Sequence, residues 1–542
     1  MKRAIAFVAV LALIGTACNG GTDETTTTAG ATDGTTATTE GGTAGAAISV
    51  GIVEPFAIDP VNTADNQAFQ VVRLLFDGLT DVTETQEVVP AVAESWETED
   101  NIVWTFTLRD DVVFSNGRTV NAGDFVFAWN RVASPESASE VAYQGLPIDG
   151  WGDVMDGAAT EISGIRAIDD RTLEVTLFEP FAFFPKVLSH PVFSPVPAEE
   201  LDTEEEAAAF SEQPIGNGPY EMTAPWEHNV RIPLSRHDGY HGTPGIPDEI
   251  EFRIYSASDA MYRDVQATNL DIGFQAVSPA LLASAQDEFG DRLLNVPVGA
   301  INFLGMPVAT PPFDNPDLSR ALSMAIDREA IAERIHQGSV APAMGLVPPQ
   351  ALGAVADACN GYCNFDPDKA KELYDAAGGI PEGRVLLYFA SGAGQEDEIE
   401  VIANSWRTTF GIEVDIAADE FSPYLDQLYG PGVGDRIYYG GWIWDYPSAY
   451  SFLSPLLEST SFDNLAPWIN DEFDRLLAES RGAADEEAGI PALEAAQLIA
   501  GDELPLIPIY FASDISVHGE RVGNVFEGAD GALRLELVTV NG

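Results

Sequence analysis

The run Tyr438-Tyr439-Gly440-Gly441-Trp442-Ile443-Trp444-Asp445-Tyr446-Pro447 concentrates more chemistry than any other stretch of the chain. One carboxylate, Asp445, stands among large rings. A carboxylate so placed can receive a cation, and the rings can wall a slot around it. The glycines ahead of the rings let a backbone or a ligand come close. A plainer reading of the same residues is a core strand end with Asp445 as a helix cap. The helix it would cap begins after Pro447 and Ser448, in the apolar run Ala449-Tyr450-Ser451-Phe452-Leu453.

The other reactive residues point away from catalysis. The sequence holds no Gly-x-Ser-x-Gly elbow, no His-Glu-x-x-His and no phosphate loop. His237 and His241 stand four apart, which on a helix starts a metal site. Gly239 and Gly242 make that segment a loop instead, so no metal is expected there. Cys359 and Cys363 are a tight pair with no His or second pair nearby, half a zinc site at most. With Cys18 set aside, an even number remains, which fits an oxidising compartment and a local Cys359–Cys363 disulfide.

These residues need a large scaffold, and 542 residues are too many for one core. Two or three domains, or one interleaved two-lobed body, are expected. The formal net charge is −60 at pH 7, which sets phosphate backbones aside and excludes nucleic acid as a partner. Lysine is confined to Lys2, Lys186, Lys369 and Lys371. The acidic surface reads as a solubility device.

Met1-Lys2-Arg3 is a basic start, followed by an apolar stretch from Ala4 to Ile14 that is too short to cross a bilayer as a helix. Gly15-Thr16-Ala17-Cys18 then resembles the lipobox of bacterial lipoproteins, in which the Cys is acylated and becomes the mature N-terminus. Residues 19–47 are Thr, Gly, Ala and acidic residues, with no bulk to bury, and read as a tether. Ile48-Ser49-Val50-Gly51-Ile52 opens the folded body as a strand. Phe69 to Leu79 is helical in pattern. Val103 to Arg109 alternates as a half-buried strand, Asp110-Asp111 turns it, and Val112-Val113-Phe114 is expected to pair back. Asn121 is placed to cap a helix through Arg131. Val385–Phe389, Glu396 to Phe410 and Ile412–Ile416 read as strand, helix, strand, the pattern of an α/β lobe.

The run from Pro90 to Arg131 resembles the signature region of the peptide-type solute-binding proteins of bacterial ABC importers. That family includes oligopeptide- and dipeptide-binding proteins and relatives for nickel, haem and some oligosaccharides. The likeness continues in order through Arg73–Leu79, Ile168–Leu177, Gly216-Asn217-Gly218-Pro219-Tyr220, Arg320–Arg328, Phe365-Asp366-Pro367, Trp442–Tyr446 and Leu506–Tyr510. It implies an α/β fold of two lobes with an extra small domain and a ligand cleft between the lobes. Lobe I would be built from 48–88, 192–296 and 510–542, the small domain from 89–191 and lobe II from 297–509. It implies a binding protein without catalytic activity or cofactor. The protein would be a monomer held to the membrane by a lipid on Cys18, taking a peptide and passing it to permease subunits. Asp445 falls where relatives pair the ligand's α-ammonium, with Trp442, Gly441 and Tyr446 around the slot. Asn66, Gln275 and Tyr510 fall at contacting positions, and Tyr143 lies near a family contact tyrosine. Relatives often carry Arg three residues before the Trp. Here Tyr439 stands there, and Arg436 is the next cation for a ligand carboxylate.

Overall fold

In the computed structural model, the described residues are 46–201, 203–392, 394–430 and 432–541. The expectations for Cys18 and for nearly all of the tether lie outside them. The core is one mixed sheet of eleven strands. From edge to edge, ten of them run Glu413–Asp419, Arg384–Ala390, Ile437–Ile443, Leu293–Gly305, Leu506–His518, Ile272–Gly273, Ala47–Val53, Glu249–Tyr255, Arg231–Arg236 and Tyr220–Met222, while Ala341–Pro342 pairs beside Leu506–His518.

The two long central strands explain the two-lobed body. Leu293–Gly305 and Leu506–His518 pair antiparallel along their length, one lobe forming on each end. Their register slips between Pro297 and Ile301, and again between Asn302 and Phe303. Such slips bend a sheet locally and raise its twist. On one side of the slip the strands Arg384–Ala390, Glu413–Asp419 and Ile437–Ile443 are parallel, as helical crossovers require. A core of its own, with Trp406 and Leu387 at its centre, lies between that sheet and its helices. On the other side Ala47–Val53 runs parallel to Glu249–Tyr255 and Ile272–Gly273.

A separate antiparallel sheet, in the order Ala93–Thr98, Val103–Leu108, Thr172–Thr176, Ile165–Asp169, fills the 89–191 region. The alternation Val103–Leu108 puts Trp104, Phe106 and Leu108 inside. Asn121 caps the helix Ala122–Ala133 with a full capping box to Asp124. Val112–Phe114 departs from expectation. It does not return onto Val103–Leu108, whose two edges are taken by Ala93–Thr98 and Thr172–Thr176. Instead Val113 bridges Thr119 in a small loop.

This region also packs on the helices that follow the aromatic stretch. Phe183 stacks on Tyr450 at 5.3 Å, and the fully buried Lys186 meets Glu486 at 2.6 Å. A disulfide joins Cys359 to Cys363. The Cys363 carbonyl also accepts from Arg328, a buried guanidinium that ties four carbonyls together. No described helix is long and apolar enough to cross a membrane.

Candidate functional site

A cleft of about 1840 Å³ opens along the junction of the lobes. Asn66, Tyr143, Gln275, Gly441, Trp442, Asp445, Tyr446 and Tyr510 all line it. They come from distant parts of the chain, and the fold brings all eight to one cavity.

Asp445 follows the end of the strand Ile437–Ile443. Its backbone N–H donates to Ser451 Oγ at 2.9 Å, and Trp442 Nε1 donates to the Ser451 carbonyl at 2.8 Å. The turn between strand and helix is thus pinned from both rings and backbone. Asp445 is not the cap of the helix Tyr450–Leu457, whose N-cap position is Ala449. Its carboxylate is free of that task and accepts from the Tyr143 hydroxyl at 2.5 Å. Loss of hydration pushes the Asp445 carboxyl up to about 6. The Tyr143 bond opposes that rise, and the neighbouring Asp463 carboxylate adds to it. The same exchange pushes the Tyr143 hydroxyl well up, through burial first and the Asp445 charge second. No Lys or Arg ion pair reaches Asp445 among the described residues. The site therefore holds a carboxylate whose charge lacks a protein counter-ion, which suits it to a cationic group from outside.

The two glycines ahead of the rings have a packing reason. A Cβ on Gly440 would lie 2.8 Å from the Phe303 ring, and one on Gly441 would lie 3.2 Å from Asn302 Oδ1. The close neighbour of Gly440 is this ring from the adjacent strand.

The remaining lining residues differ in their readiness to meet a ligand. Asn66 opens the helix Asn66–Leu75 behind its cap Asp65 and is exposed in the cleft. Gln275 adopts a left-handed backbone, φ 51°, held by a bond from its N–H to Ser516 Oγ; its Oε1 accepts from Gln67. Tyr510 is 8 % exposed, its hydroxyl accepting from Tyr439 at 3.2 Å and its ring 4.5 Å from that of His336. Arg436 does not line the cleft. Its guanidinium lies 4.7 Å above the Tyr388 ring and donates to the carbonyls of Val433 and Gly432, so it is spent on its own loop rather than on a ligand carboxylate. His237 is buried with its ring against the Gly218 carbonyl, and no group of described residues is arranged to hold a metal.

Three lining residues escaped the sequence reading. Asp463 takes the Tyr429 hydroxyl at 2.8 Å and acts on Asp445 through space. Gln144 is 8 % exposed, and its side-chain carbonyl has no hydrogen-bond partner among the described residues. Asp514 is 8 % exposed in the middle of a long central strand, with its carboxyl pushed up to about 6 by burial and a partly opposing bond from Gln275. A lone acid inside the apolar run Tyr510–Val517 was the available signal for it.

The profile of the bacterial extracellular solute-binding proteins, family 5 Middle, matches residues 87–464. The chain is 28% identical over 509 residues to the dipeptide-binding protein DppE of Bacillus subtilis, covering 90% of each. It is 27% identical over 486 residues to the oligopeptide-binding protein OppA of the same organism, covering 87% of this chain and 88% of that one. Among solved structures, the unliganded open form of the periplasmic murein tripeptide-binding protein MppA superposes with a TM-score of 0.80 at 23% identity, over 92% of this chain and 97% of that one. The fold is the two-lobed α/β fold of such proteins, and these relatives are named as binding proteins. The chain belongs to the family 5 bacterial extracellular solute-binding proteins.

Proposed function

We propose that the protein captures peptides with free N-termini in the cleft and delivers them to an ABC importer. The carrying observation is Asp445. It is a carboxylate with a tyrosine for a partner and no cation, set between Trp442 and Tyr446 in the wall of a cavity large enough for several residues of peptide. The α-ammonium of a peptide, with an ordinary value near ~8, stays charged at neutral pH and supplies the missing partner. Trp442 and Tyr446 edge that slot, and Gly441 offers backbone groups. Asn66, Gln275, Tyr143 and Tyr510 complete the contacts. The names of the relatives, dipeptide- and oligopeptide-binding, support the same solute class.

In this reading 48–88, 192–296 and 510–542 form lobe I, 89–191 the small domain and 297–509 lobe II. The lobes close about the slipped register of the two long strands. A ligand shifts that equilibrium by binding the closed form better than the open one. An acylated Cys18 and the segment after it hold the body near the permease. Fatty-acid labelling of the wild type and of Cys18→Ala tests the anchor, and equal labelling contradicts it. Native mass spectrometry of protein purified without refolding tests the solute. Peptide masses carried in the cleft support the proposal, whereas a bound sugar or lipid in their place contradicts it.

A further inference from the structure

The charge in the cleft wall is unbalanced. Among the described lining residues, Arg73 is the single Lys or Arg, and it is held by Asp530 at 2.5 Å and by Asp81 at 3.5 Å. Several of the acids are engaged too. Asp65 caps a helix, Asp77 lies near Arg73 and takes a bond from Tyr240, and Asp463 takes the Tyr429 hydroxyl. Asp445 and Asp514 differ in having no cationic partner among the described residues: Asp445 takes the Tyr143 hydroxyl and lies near the Asp463 carboxylate, and Asp514 takes a bond from Gln275 and lies near the buried Glu527 carboxylate. Asp514 lies opposite Val296 across the two central strands, next to the register slip, so it belongs to the hinge rather than to the aromatic wall.

A second observation does not depend on charge. Gln144 is 8 % exposed and Gln395 is 5 % exposed; both line the cleft, and the side-chain carbonyl of each has no donor among the described residues. Buried acceptors are nearly always satisfied, so such orphans ask for a donor from outside the chain. The Gln144 side chain also meets the Tyr143 hydroxyl, which places it beside Asp445. Two carboxylates and two amide carbonyls, from four segments of chain, thus present acceptors to one cavity that has no uncommitted Lys or Arg among the described residues. The net charge of −60 surrounds that cavity with a field that draws cations in and turns anions away.

We propose that the cleft selects cationic peptides, with the ligand ammonium at Asp445 and Gln144 Oε1 and a lysine or arginine side chain at Asp514. This rests on the peptide reading and adds a charge preference to it. The ligand C-terminus finds no free Lys or Arg here, so its carboxylate contributes little.

Calorimetric titration of the intact protein with two sets of tripeptides tests the inference. One set is Ala-Lys-Ala, Ala-Met-Ala and Ala-Glu-Ala; the other carries the same three residues at the third position. In at least one set the Lys peptide is expected to bind about tenfold or more tightly than its Met counterpart, a difference of one decade in Kd, with the Glu peptide weakest. Asp514→Asn is expected to bring the Lys-to-Met ratio close to one, and Asp514→Glu to retain part of it. The ratio in the unaltered protein decides the charge preference by itself, so the outcome does not hang on how a variant folds. Equal binding of Lys, Met and Glu peptides overturns the preference and leaves the peptide reading standing. A Lys advantage that survives Asp514→Asn overturns its placement. If none of the peptides binds, the peptide reading fails and this inference fails with it.

Discussion

Asp445 owes its raised value to lost hydration, with Tyr143 pulling it down and Asp463 pushing it up. An ammonium binds its ionised form. Peptide affinity is therefore full between about pH 6 and the ammonium's own value of ~8, and falls as the pH drops through the lower of these. Kd should rise by about tenfold per pH unit below it, until the lower value of the bound state is reached. Tyr143→Phe removes the bond that holds Asp445 down, so the midpoint should move to higher pH; calorimetry across pH reads both effects. For folding the sign is reversed. Because the folded value is above the ordinary 3.8, ionised Asp445 opposes folding at neutral pH. Asp445→Asn should melt no lower than wild type at neutral pH, with any advantage fading as the pH falls towards 3.8. The type and company of Asp445 were legible in the sequence. Its partner Tyr143, 302 positions away, was legible only as a nearby family contact. Gln144 was silent and Asp514 showed only as a lone acid in a strand, because what marks both is burial in the cleft wall with no cation beside them among the described residues, a property of the folded surroundings.

The element that joins the site to the proposed hinge is the slip between Pro297 and Ile301. Gly299 lies within it and accepts from the Trp444 backbone N–H at 2.8 Å. A Cβ on Gly299 would fall 2.0 Å from the Trp444 indole, so the ring is packed where any side chain would have to be. Gly299→Ala should push Trp444 out of place, lower stability by about 1–3 kcal/mol as overpacking does, and weaken peptide binding through the neighbouring Asp445. Urea unfolding and titration measure the two effects; a variant unchanged in both would show that the slip and the aromatic wall are independent. Helix ends show why boundaries were harder to read than existence. The pattern Phe69 to Leu79 suggested a later start and a later stop than the observed Asn66–Leu75. Asp65 starts the helix earlier by capping it. At the other end, the Gly218 N–H takes the Leu75 carbonyl at 2.8 Å, and Gly216 packs so closely that a Cβ would overlap that carbonyl. That stop signal arrives from a segment about 140 residues downstream and leaves no mark on the local pattern. The misread Val112–Phe114 has a similar cause, since both edges of its expected partner were claimed by strands from elsewhere.

For the molecule as a whole, the strand and helix periods established an α/β body, while the interleaving of its pieces came from the ordered family resemblance. No local rule says that Ala47–Val53 pairs with Glu249–Tyr255, some 200 positions on. Two lobes on a shared pair of strands predict a shape change. Adding a saturating tripeptide should reduce the radius of gyration in small-angle scattering, and Asp445→Asn at the same concentration should show less of that change. A radius that does not move while heat is released would mean binding without closure. The central claim, that the ligand ammonium meets Asp445 in the cleft, is tested most directly by one calorimetric cycle. It measures a free and an N-acetylated version of the same tripeptide against wild type and Asp445→Asn. Loss of one member of a desolvated charge pair costs about 2–5 kcal/mol. Either change alone is therefore expected to weaken binding by about 30-fold or more. The two together should be little worse than one, because both remove the same contact. Additive losses from acetylation and mutation would place the ammonium elsewhere and contradict the account.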